Sequence, residues 1–442
     1  MKLILVVAFL VNISLNALYL KEDEFNEKTY VRTYGNVNNE AIIFVHGMGD
    51  EASTTWDETI EALRDDYYIV TFDLPGFGKS TKSNQLYSME RYVKFIHNIA
   101  NKYIDKKYHL VGHSMGGAIS LKYAYTYQDE LQSLVLIDVA GVLSKQAFSQ
   151  FLIKNGVSSF FGTSLKDLGI DVAIAKIPKA LESIIPFDVT KLISSSKARE
   201  FIFQSNPTAI SAMSLVNEDF SYIPQNIYLN TRIIWGEDDN IAPLRTGYIL
   251  NKRIENSKLN IIKDSKHVPI VDSFEIYISY LKEHLKDPSY SRVTKTNLTK
   301  EKKDMILEDV NGRIISGNID ELELINCKNI ILKDANINKF TITNSRVTIM
   351  NSNFNIKEIS YIIDSNVEIT ASNINLLYPI EVLNSDLDLA GVDFISEEEI
   401  FKNLNTNNKQ NVIFSLSKNN SELLHGEYQI TKDSSVLNKQ EN

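Results

Sequence analysis

Short apolar runs alternate with amphipathic stretches in the first part of the chain. Four brief runs of aliphatic, β-branched and aromatic residues are typical of buried strands: Ala41–Val45, Tyr68–Phe72, His109–Val111 and Leu134–Ile137. The stretches between them repeat apolar positions at helical spacing: Trp56–Arg64, Met89–Ile104 and Met115–Tyr127. Strands that alternate with helices predict an α/β fold with a parallel sheet covered by helices on both faces.

This alternation stops at residue 142 and resumes near residue 229. Residues 142–228 contain helix-like amphipathic segments and no convincing strand, whereas Thr231–Trp235 and Leu259–Ile262 again resemble strands. We therefore predict an α/β core formed by residues 28–141 and 229–286, with residues 142–228 inserted as a helical lid. A polar, lysine-rich stretch at 287–304 is the predicted linker.

A 20-residue repeat sets the next part of the chain apart. Val347, Val367 and Leu387 are 20 residues apart, and each is followed two residues later by another aliphatic residue. Alternation of apolar and polar residues inside a repeat of this length predicts the stacked coils of a right-handed parallel β-helix. We expect this domain to span residues 305–416, with a capping strand at Asn411–Leu416, and to be followed by a polar tail at 417–442.

Asn and Asp recur where the predicted coils turn. Asn344, Asp364 and Asn384 precede successive repeat units, and these residue types tolerate a left-handed backbone. An earlier unit that starts at Ile330 fits the same pattern with a coil three residues shorter. Cys327 falls in that unit where later units carry serine, so we expect a small residue at a corner rather than a reactive thiol.

The N-terminus carries an apolar run from Leu3 to Leu20. Two main interpretations of residues 1–20 compete: a cleaved signal peptide, and an uncleaved membrane anchor that tolerates three polar residues. A buried strand or helix of the main domain is the third alternative. A lysine precedes the run and the acid-rich residues 21–27 follow it, which favours an N-terminus in the cytoplasm. The rest of the chain is then expected to be exported to the periplasmic side of the cell envelope, either anchored through residues 3–20 or soluble.

Composition excludes several other classes of protein. The chain has 46 Lys and Arg against 56 Asp and Glu, a net charge of −10, so it lacks the basic surface that nucleic-acid binding usually requires. One cysteine excludes an intramolecular disulfide framework. The sequence has neither a metal-ligand spacing nor a G-x-G-x-x-G motif, and we predict no metal and no cofactor.

The strongest local motif is Gly112-His113-Ser114-Met115-Gly116, between a strand and a helical stretch. The G-x-S-x-G pattern places a serine on a strained turn above a sheet, where neighbouring backbone leaves room only for small residues. In this setting it predicts a nucleophilic Ser114.

Two further segments follow predicted strands: HGMG at 46–49 and DLPGFGKS at 73–80. With GHSMGG at 112–117, they make residues 28–286 resemble the α/β-hydrolase family, in which the order is serine, acid, histidine. The family pattern G-x-x-D assigns the acid to Asp239 in WGEDDN, and the loop SKHVP assigns the base to His267. Lys266 departs from the family, which often has glycine there. The resemblance also implies that the backbone N–H groups of Met48 and Met115 form the oxyanion hole.

The choice of acid has alternatives. Glu237 and Asp238 flank Asp239, and Asp138 ends the predicted strand SLVLID, from which it reaches the same edge of the sheet. Asp73 is expected to brace a loop, while His46 and His113 belong to motif turns and are expected to bond backbone.

The substrate is expected to be a small-molecule or lipid ester. The predicted lid is rich in apolar residues, which favour an apolar acyl pocket: Phe148, Phe151, Phe160, Phe161, Ile170, Ile174, Ile177, Ile184, Ile185 and Phe187. The phrase LIDVAGV at 136–142, together with GHSMGG, resembles monoacylglycerol-lipase-like enzymes and related bacterial esterases. The leading hypothesis is therefore a serine hydrolase of carboxylic esters.

Two alternatives remain open. One is a carbon–carbon bond hydrolase of the same fold. The other is a protein whose β-helix binds glycans or forms a homo-oligomer, with hydrolysis as a secondary activity. If the β-helix serves only as a spacer or in assembly, deletion of residues 305–442 should leave ester turnover intact.

Overall fold

The computed structural model describes residues 16–154, 189–289, 303–397, 399–404, 410–430 and 438–439. We call the described residues up to 289 the α/β domain and those from 303 onward the repeat domain. The strands of the α/β domain are β1 (Asn16–Lys21), β2 (Lys28–Tyr34), β3 (Ala41–Val45), β4 (Tyr68–Phe72), β5 (Tyr108–His113), β6 (Leu131–Ile137), β7 (Thr231–Gly236) and β8 (Ser257–Ile262).

Helices of the α/β domain lie between and after these strands. They are α1 (Asp57–Leu63), α2 (Met89–Tyr103), α3 (Met115–Tyr127), α4 (Lys145–Lys154), α5 (Val189–Ser194), α6 (Ser196–Phe203), α7 (Pro207–Val216), α8 (Leu244–Arg253), α9 (Pro269–Asp272) and α10 (Phe274–Lys286). The strands form one eight-stranded sheet in the order β1-β2-β4-β3-β5-β6-β7-β8. Strands β3 to β8 run parallel to one another, and β2 pairs with both β1 and β4 in antiparallel fashion.

Both faces of this sheet are covered, as the unbroken apolar runs predict. All five residues of β3 are buried. Ile43 and Val45 pack into the core on one face, and Ile42 and Phe44 pack into the core on the other. Because a parallel sheet between two helical layers has no wet face, its strands need apolar residues at every position.

The carboxyl ends of the parallel strands meet at one edge of the sheet. Ser114 directly follows β5, Asp138 follows β6, Asp239 lies in the loop after β7 and His267 lies in the loop after β8. Since β5, β6, β7 and β8 are consecutive neighbours, the four side chains lie along one line of adjacent loops.

The predicted lid is described at its two ends, in α4 and in α5 to α7. Phe148 of α4 is buried in the same core as the sheet. Helix α7 begins at Pro207, and a Cβ placed on Gly76 would lie 2.8 Å from the Pro207 Cβ. This end of the lid therefore packs on the loop after β4. Residues 155–188, with the predicted apolar positions from Phe160 to Phe187, lie outside the described residues.

The repeat domain is all-β, and most of its strands are parallel. Its strands are β9 (Lys303–Glu308), β10 (Asn311–Ile325), β11 (Lys328–Thr343), β12 (Arg346–Met350), β13 (Asn353–Ile356), β14 (Ser360–Ile363), β15 (Asn366–Thr370), β16 (Asn373–Leu376), β17 (Ile380–Leu383), β18 (Asp386–Ala390), β19 (Asp393–Ser396), β20 (Phe401–Asn403), β21 (Gln410–Asn419), β22 (Glu422–Ile430) and β23 (Asn438–Lys439).

Strand pairing in this domain follows the sequence repeat. Val347 pairs with Val367, and Val367 pairs with Leu387, each in a parallel ladder. The preceding unit is three residues shorter, because Ile330 pairs with Val347. Asn344, Asp364 and Asn384 have φ of 46°, 47° and 45°, which is the left-handed conformation that their residue types suggest.

A ladder of serines connects successive units. The N–H of Ser345 donates to Ser365 Oγ at 3.0 Å, and the N–H of Ser365 donates to Ser385 Oγ at 3.0 Å. Buried Cys327 occupies the first step, where its N–H donates to Ser345 Oγ at 2.8 Å. Cys327 is thus a small buried residue in the ladder, as its alignment with the later serines predicts.

The C-terminus contains more structure than the sequence predicts. The expected tail at 417–442 begins inside β21, and β22 then pairs with β21 as an antiparallel partner. Leu424, Tyr428 and Ile430 of β22 are buried in the core of the repeat domain. Three apolar residues in a polar segment are enough to fix the strand once β21 offers a ladder, and sequence composition alone does not reveal this.

The two domains share a core and ion pairs. Ala390, Ile413 and Leu416 of the repeat domain are buried with the core residues of the α/β domain. Arg245 of α8 binds Asp388 through two hydrogen bonds of 2.6 and 3.1 Å. Removal of residues 305–442 would therefore uncover apolar surface of the α/β domain, and the expectation that ester turnover survives this deletion stays a prediction.

The N-terminal segment enters the sheet. Asn16–Leu20, the last five residues of the predicted signal peptide or anchor, lie in β1, which pairs with β2 in antiparallel fashion. Residues 1–15 of that segment lie outside the described residues. Within the described ranges, no helix combines the length and the apolar character that crossing a membrane requires.

Candidate active site

Ser114 lies on a strained turn between β5 and α3. Its φ of 53° and ψ of −119° are unusual for a residue with a side chain. A Cβ on Gly112 would lie 2.4 Å from the Gly116 carbonyl oxygen, and one on Gly116 would lie 2.3 Å from that of Val45. The two glycines of the motif are therefore required by close backbone packing, which holds the serine above the sheet.

His267 connects Ser114 and Asp239. Its Nε2 lies 2.9 Å from Ser114 Oγ, and its Nδ1 lies 2.8 Å from Asp239 Oδ2. A carboxylate oxygen only accepts, so Nδ1 carries the proton and Nε2 is free to accept one from Ser114. The structure thus brings together the three residues that the sequence singled out.

Asp239 is fixed by its own loop. Its Oδ1 accepts hydrogen bonds from the backbone N–H of Ile241 at 2.8 Å and of Ala242 at 3.0 Å. These two bonds leave Oδ2 directed at His267, and the side chain of Asp239 is fully buried. The alternatives Glu237 and Asp238 are exposed.

Two neutral histidines hold the loops around the site. His113 Nε2 donates to the backbone carbonyl of His267 at 2.8 Å, and burial, with the neighbouring His267, lowers the pKa of His113 to about 3. His46 Nδ1 donates to the Gly47 carbonyl at 2.6 Å, while its Nε2 accepts from the N–H of Leu74 at 2.8 Å. Burial lowers the pKa of His46 to about 4, so it keeps both roles at neutral pH.

The loops that carry the predicted oxyanion donors lie beside Ser114. Met115 is the first residue of α3, so its N–H is one of the helix-terminal amides without an intrahelical partner. Met48 follows Gly47, whose Cβ, if present, would lie 2.9 Å from the Ser114 Cβ. The segment at Met48 therefore runs directly past the serine.

Asp73 braces the loop after β4, as expected. Its Oδ1 accepts from the N–H of Ser53 at 3.0 Å, and its Oδ2 accepts from the N–H of Lys79 at 2.7 Å. These bonds connect the loop after β3 with the DLPGFGKS segment, so the carboxylate of Asp73 has a structural role.

Asp138 lies next to the acid and the base. Among the described residues, one group of acidic and histidine side chains is close enough to hold a metal ion: Asp138, Asp239 and His267, with ligand atoms within 4.8 Å of one another. In this group, His267 and Asp239 are hydrogen-bonded to each other, so Nδ1 of His267 and Oδ2 of Asp239 already have a partner.

Comparisons with known proteins match the α/β domain. Residues 40–165 match a family model described as the alpha/beta hydrolase fold. Lipase 1 of Psychrobacter immobilis is 26% identical over 250 residues, which cover 54% of this chain and 75% of that protein. Monoacylglycerol lipase ABHD6 of Homo sapiens is 27% identical over 251 residues, covering 52% of this chain and 71% of that protein.

Solved structures also match part of this chain. A membrane phospholipase A, described as a bacterial virulence factor, is 22% identical and superimposes with a TM-score of 0.48. The match covers 62% of this chain and 86% of that one.

The family model and the lipase relatives support a hydrolase of the esterase or lipase type with the alpha/beta hydrolase fold. The fold and the class of enzyme predicted from the sequence motifs are confirmed at this level. The repeat domain lies outside the residues that the family model matches.

Proposed function

We propose that this protein hydrolyses carboxylic esters through an acyl-enzyme on Ser114. The observation that carries the proposal is the imidazole of His267, which hydrogen-bonds Ser114 at 2.9 Å on one side and buried Asp239 at 2.8 Å on the other. A free hydroxyl is a weak nucleophile at neutral pH, and an adjacent base of this geometry is what activates it.

The proposed reaction begins when Ser114 Oγ attacks the ester carbonyl carbon and His267 Nε2 accepts its proton. The backbone N–H groups of Met115 and Met48 stabilise the negative charge that develops on the carbonyl oxygen. The tetrahedral intermediate then collapses, His267 protonates the leaving alcohol, and the acyl group remains on Ser114. Water, deprotonated by His267, releases the carboxylic acid in the same way.

Asp239 is proposed to keep His267 in the tautomer that accepts from serine and to stabilise the cation formed during transfer. The two backbone donors on its Oδ1 support this role, because they leave only Oδ2 free for the ring.

The proposed substrate has an apolar acyl chain. The apolar composition of the predicted lid supports this: in its helix α7, Ile210 and Leu215 are buried in the core and Met213 packs against that core. Two of the similar proteins are lipases by name. Burial of a hydrocarbon chain against apolar residues would contribute about 0.8 kcal/mol for each methylene.

The repeat domain is proposed to be a right-handed parallel β-helix that serves in assembly or as a spacer. Ladders in which each residue pairs with the one 20 positions later support the coil, as Asn353 with Asn373 and Asn373 with Asp393 illustrate. Light scattering of the full chain tests the proposed homo-oligomer: a monomer mass would contradict it.

Export to the cell envelope also remains a proposal, supported by the apolar residues 3–15 and the acid-rich segment after the run. Fractionation of cells that express the full chain tests it, and recovery in the cytoplasm alone would contradict it.

The experiment that tests the hydrolase is labelling with a fluorophosphonate probe. Wild type should label, Ser114→Ala should not, and the matched variant Ser279→Ala, at an exposed serine of α10, should label like wild type. Turnover of p-nitrophenyl esters of increasing chain length then tests the acyl preference. Equal labelling of Ser114→Ala and wild type would contradict the proposed nucleophile.

A further inference from the structure

Asp138 occupies an unusual position between the nucleophile and the acid. It follows β6, which lies between β5, the strand before Ser114, and β7, the strand before Asp239. Its φ of 43° is in the left-handed region, where a residue with a Cβ is strained. The backbone holds it there, since its N–H donates to the Ile234 carbonyl at 3.1 Å.

The side chain of Asp138 is fully buried, and only one of its oxygens has a donor. Oδ1 accepts from the backbone N–H of Gly236 at 2.9 Å. Oδ2 is buried, and no donor in the described part of the chain reaches it. A buried carboxylate oxygen without a donor is costly, and the usual outcome is that the group keeps its proton.

The neighbours of Asp138 make ionisation less favourable still. Carboxyl oxygens of Asp138 and Asp239 and a ring nitrogen of His267 lie within 4.8 Å of one another. Burial, followed by the negative charge of Asp239, raises the pKa of Asp138 well above its ordinary value. Asp272 of α9 adds a further negative charge to this effect.

We propose that Asp138 is a neutral carboxylic acid that donates a hydrogen bond to Asp239 and so positions the proposed catalytic acid. This inference rests on the proposed function and deepens it. The two carboxyl groups then carry one negative charge between them, and His267 faces that single charge.

The pair has a chemical consequence for the reaction. A proton held by Asp138 gives Asp239 a fourth donor, besides the N–H groups of Ile241 and Ala242 and the Nδ1–H of His267. With these donors, the carboxylate stays fixed while His267 gains and loses its proton. Asp138 is thus a positioning residue, which acts on His267 through Asp239.

Substitution of Asp138 tests this role through a pair of variants of the full chain. Asp138→Ala removes the donor, and kcat/KM should fall roughly tenfold, the size expected for the loss of one hydrogen bond to a charged group. Asp138→Asn retains a donor of the same shape and should recover most of that loss. Circular dichroism and thermal melting establish that both variants are folded.

The pH profile separates a neutral Asp138 from an ionised one. The charged and titratable groups that face Asp138 are Asp239, His267, Asp272 and, beyond His267, His113. If Asp138 is neutral, Asp138→Asn removes no charge, and the acid limb of kcat/KM keeps its midpoint. A midpoint that moves to lower pH would show that a negative charge beside His267 has been lost, and it would overturn the inference.

Infrared spectroscopy provides a second readout that does not depend on turnover. Wild type at neutral pH should show the C=O stretch of a protonated carboxyl group, and this band should be absent from Asp138→Asn. No such difference between the two proteins would overturn the inference. If the band is absent from Asp138→Asn but Ser114→Ala is fully active, the inference that Asp138 is neutral is kept and the proposed function is contradicted.

Discussion

Both domains are built mainly on parallel strands, yet their sequences follow different patterns. In β3 of the α/β domain all five residues are buried, whereas in β12 of the repeat domain buried Val347 and Ile349 alternate with more exposed residues. The difference arises because helices cover both faces of the first sheet, while the second encloses one apolar interior. Parallel pairing therefore does not determine the hydrophobic pattern, and the number of covered faces does.

The domains also differ in where residues with a left-handed backbone lie. In the repeat domain the left-handed residues Asn344, Asp364 and Asn384 recur at corners and belong to types that tolerate this backbone. In the α/β domain Ser114 and Asp138 adopt it at the edge of the sheet. The left-handed residues of the repeat domain shape its corners, whereas Ser114 and Asp138 lie at the candidate site.

The largest expected effect concerns the base. His267→Ala should lower kcat about 10⁶-fold, since members of a serine triad act as a unit. The matched variant His425→Ala, in the repeat domain, should retain the kcat of wild type in the folded fraction. Steady-state kinetics on a p-nitrophenyl ester measures both, and a comparable loss in the two variants would contradict the assignment of catalysis to one domain.

The next effect concerns the acid. Asp239→Asn should lower kcat about 10⁴-fold, because the amide no longer selects the tautomer of His267 that accepts from Ser114. Asp238→Asn changes the exposed neighbour and should leave kcat unchanged. If Asp238→Asn were the damaged variant, the acid would have been assigned one residue too late.

Serine substitutions test the difference in patterning directly. Ile42→Ser and Ile43→Ser, at adjacent positions of β3, should each reduce the free energy of unfolding by about 3 kcal/mol or more, because both side chains are buried. In β16, Ile374→Ser should cost as much, while Asn375→Ser, at an exposed position, should cost no more than about 0.5 kcal/mol.

Urea unfolding measures these costs. Equal losses at Ile374 and Asn375 would contradict a single covered face in the repeat domain.

Acid should destabilise the α/β domain in particular. Burial lowers the pKa of four histidines there to about 3 or 4: His46, His109, His113 and His284. The unfolded chain binds protons on these rings below about pH 6.5, and the folded domain does not, so stability falls as pH falls from 7 towards 4. We expect a loss of about 1 kcal/mol or more for each ring by pH 5.

Asp138 acts in the opposite direction, since its raised pKa favours the folded state on the acid side, but it is one group against four. Tryptophan fluorescence isolates the effect, because both tryptophans, Trp56 and Trp235, are buried in the α/β domain. A melting temperature that rises on acidification from pH 7 to pH 5 would contradict this prediction.

The smallest effect concerns the contact between the domains. Arg245→Ala leaves Asp388 and Glu368 without their guanidinium partner in a mostly buried interface, and we expect a loss of about 2 kcal/mol. Lys339→Ala breaks two ion pairs that are more exposed and should cost less than about 1 kcal/mol.

Comparing fluorescence with circular dichroism during unfolding should show separate transitions only in Arg245→Ala. Coincident transitions in that variant would indicate that apolar contacts alone couple the domains.

Much of this fold could be predicted from the sequence because it depends on local patterns of apolar and polar residues. The strand at Ala41–Val45 and the 20-residue repeat match the structure closely, since burial on two faces and on one face leaves distinct patterns. Ser114, Asp239 and His267 could be found because each follows a strand within a short motif.

Other features depend on partners distant in the chain, and the sequence did not reveal them. Arg245 and Asp388 are 143 residues apart, and nothing near either one indicates an interface. The sequence indicates Asp138 as an alternative acid, but its proposed neutral state depends on Gly236, at the end of β7, and on Asp239, in the loop after β7. β22 was missed because its ladder exists only beside β21.

The position of β1 has a consequence for any shortened form of this chain. β1 is the outermost strand of its sheet, and Asn16 pairs with Thr33 at one end while Lys21 pairs with Lys28 at the other. A peptidase that trimmed the chain beyond residue 15 would shorten this strand and leave the β2 backbone open to pairing with another molecule. A chain shortened beyond that point is therefore expected to be prone to self-association.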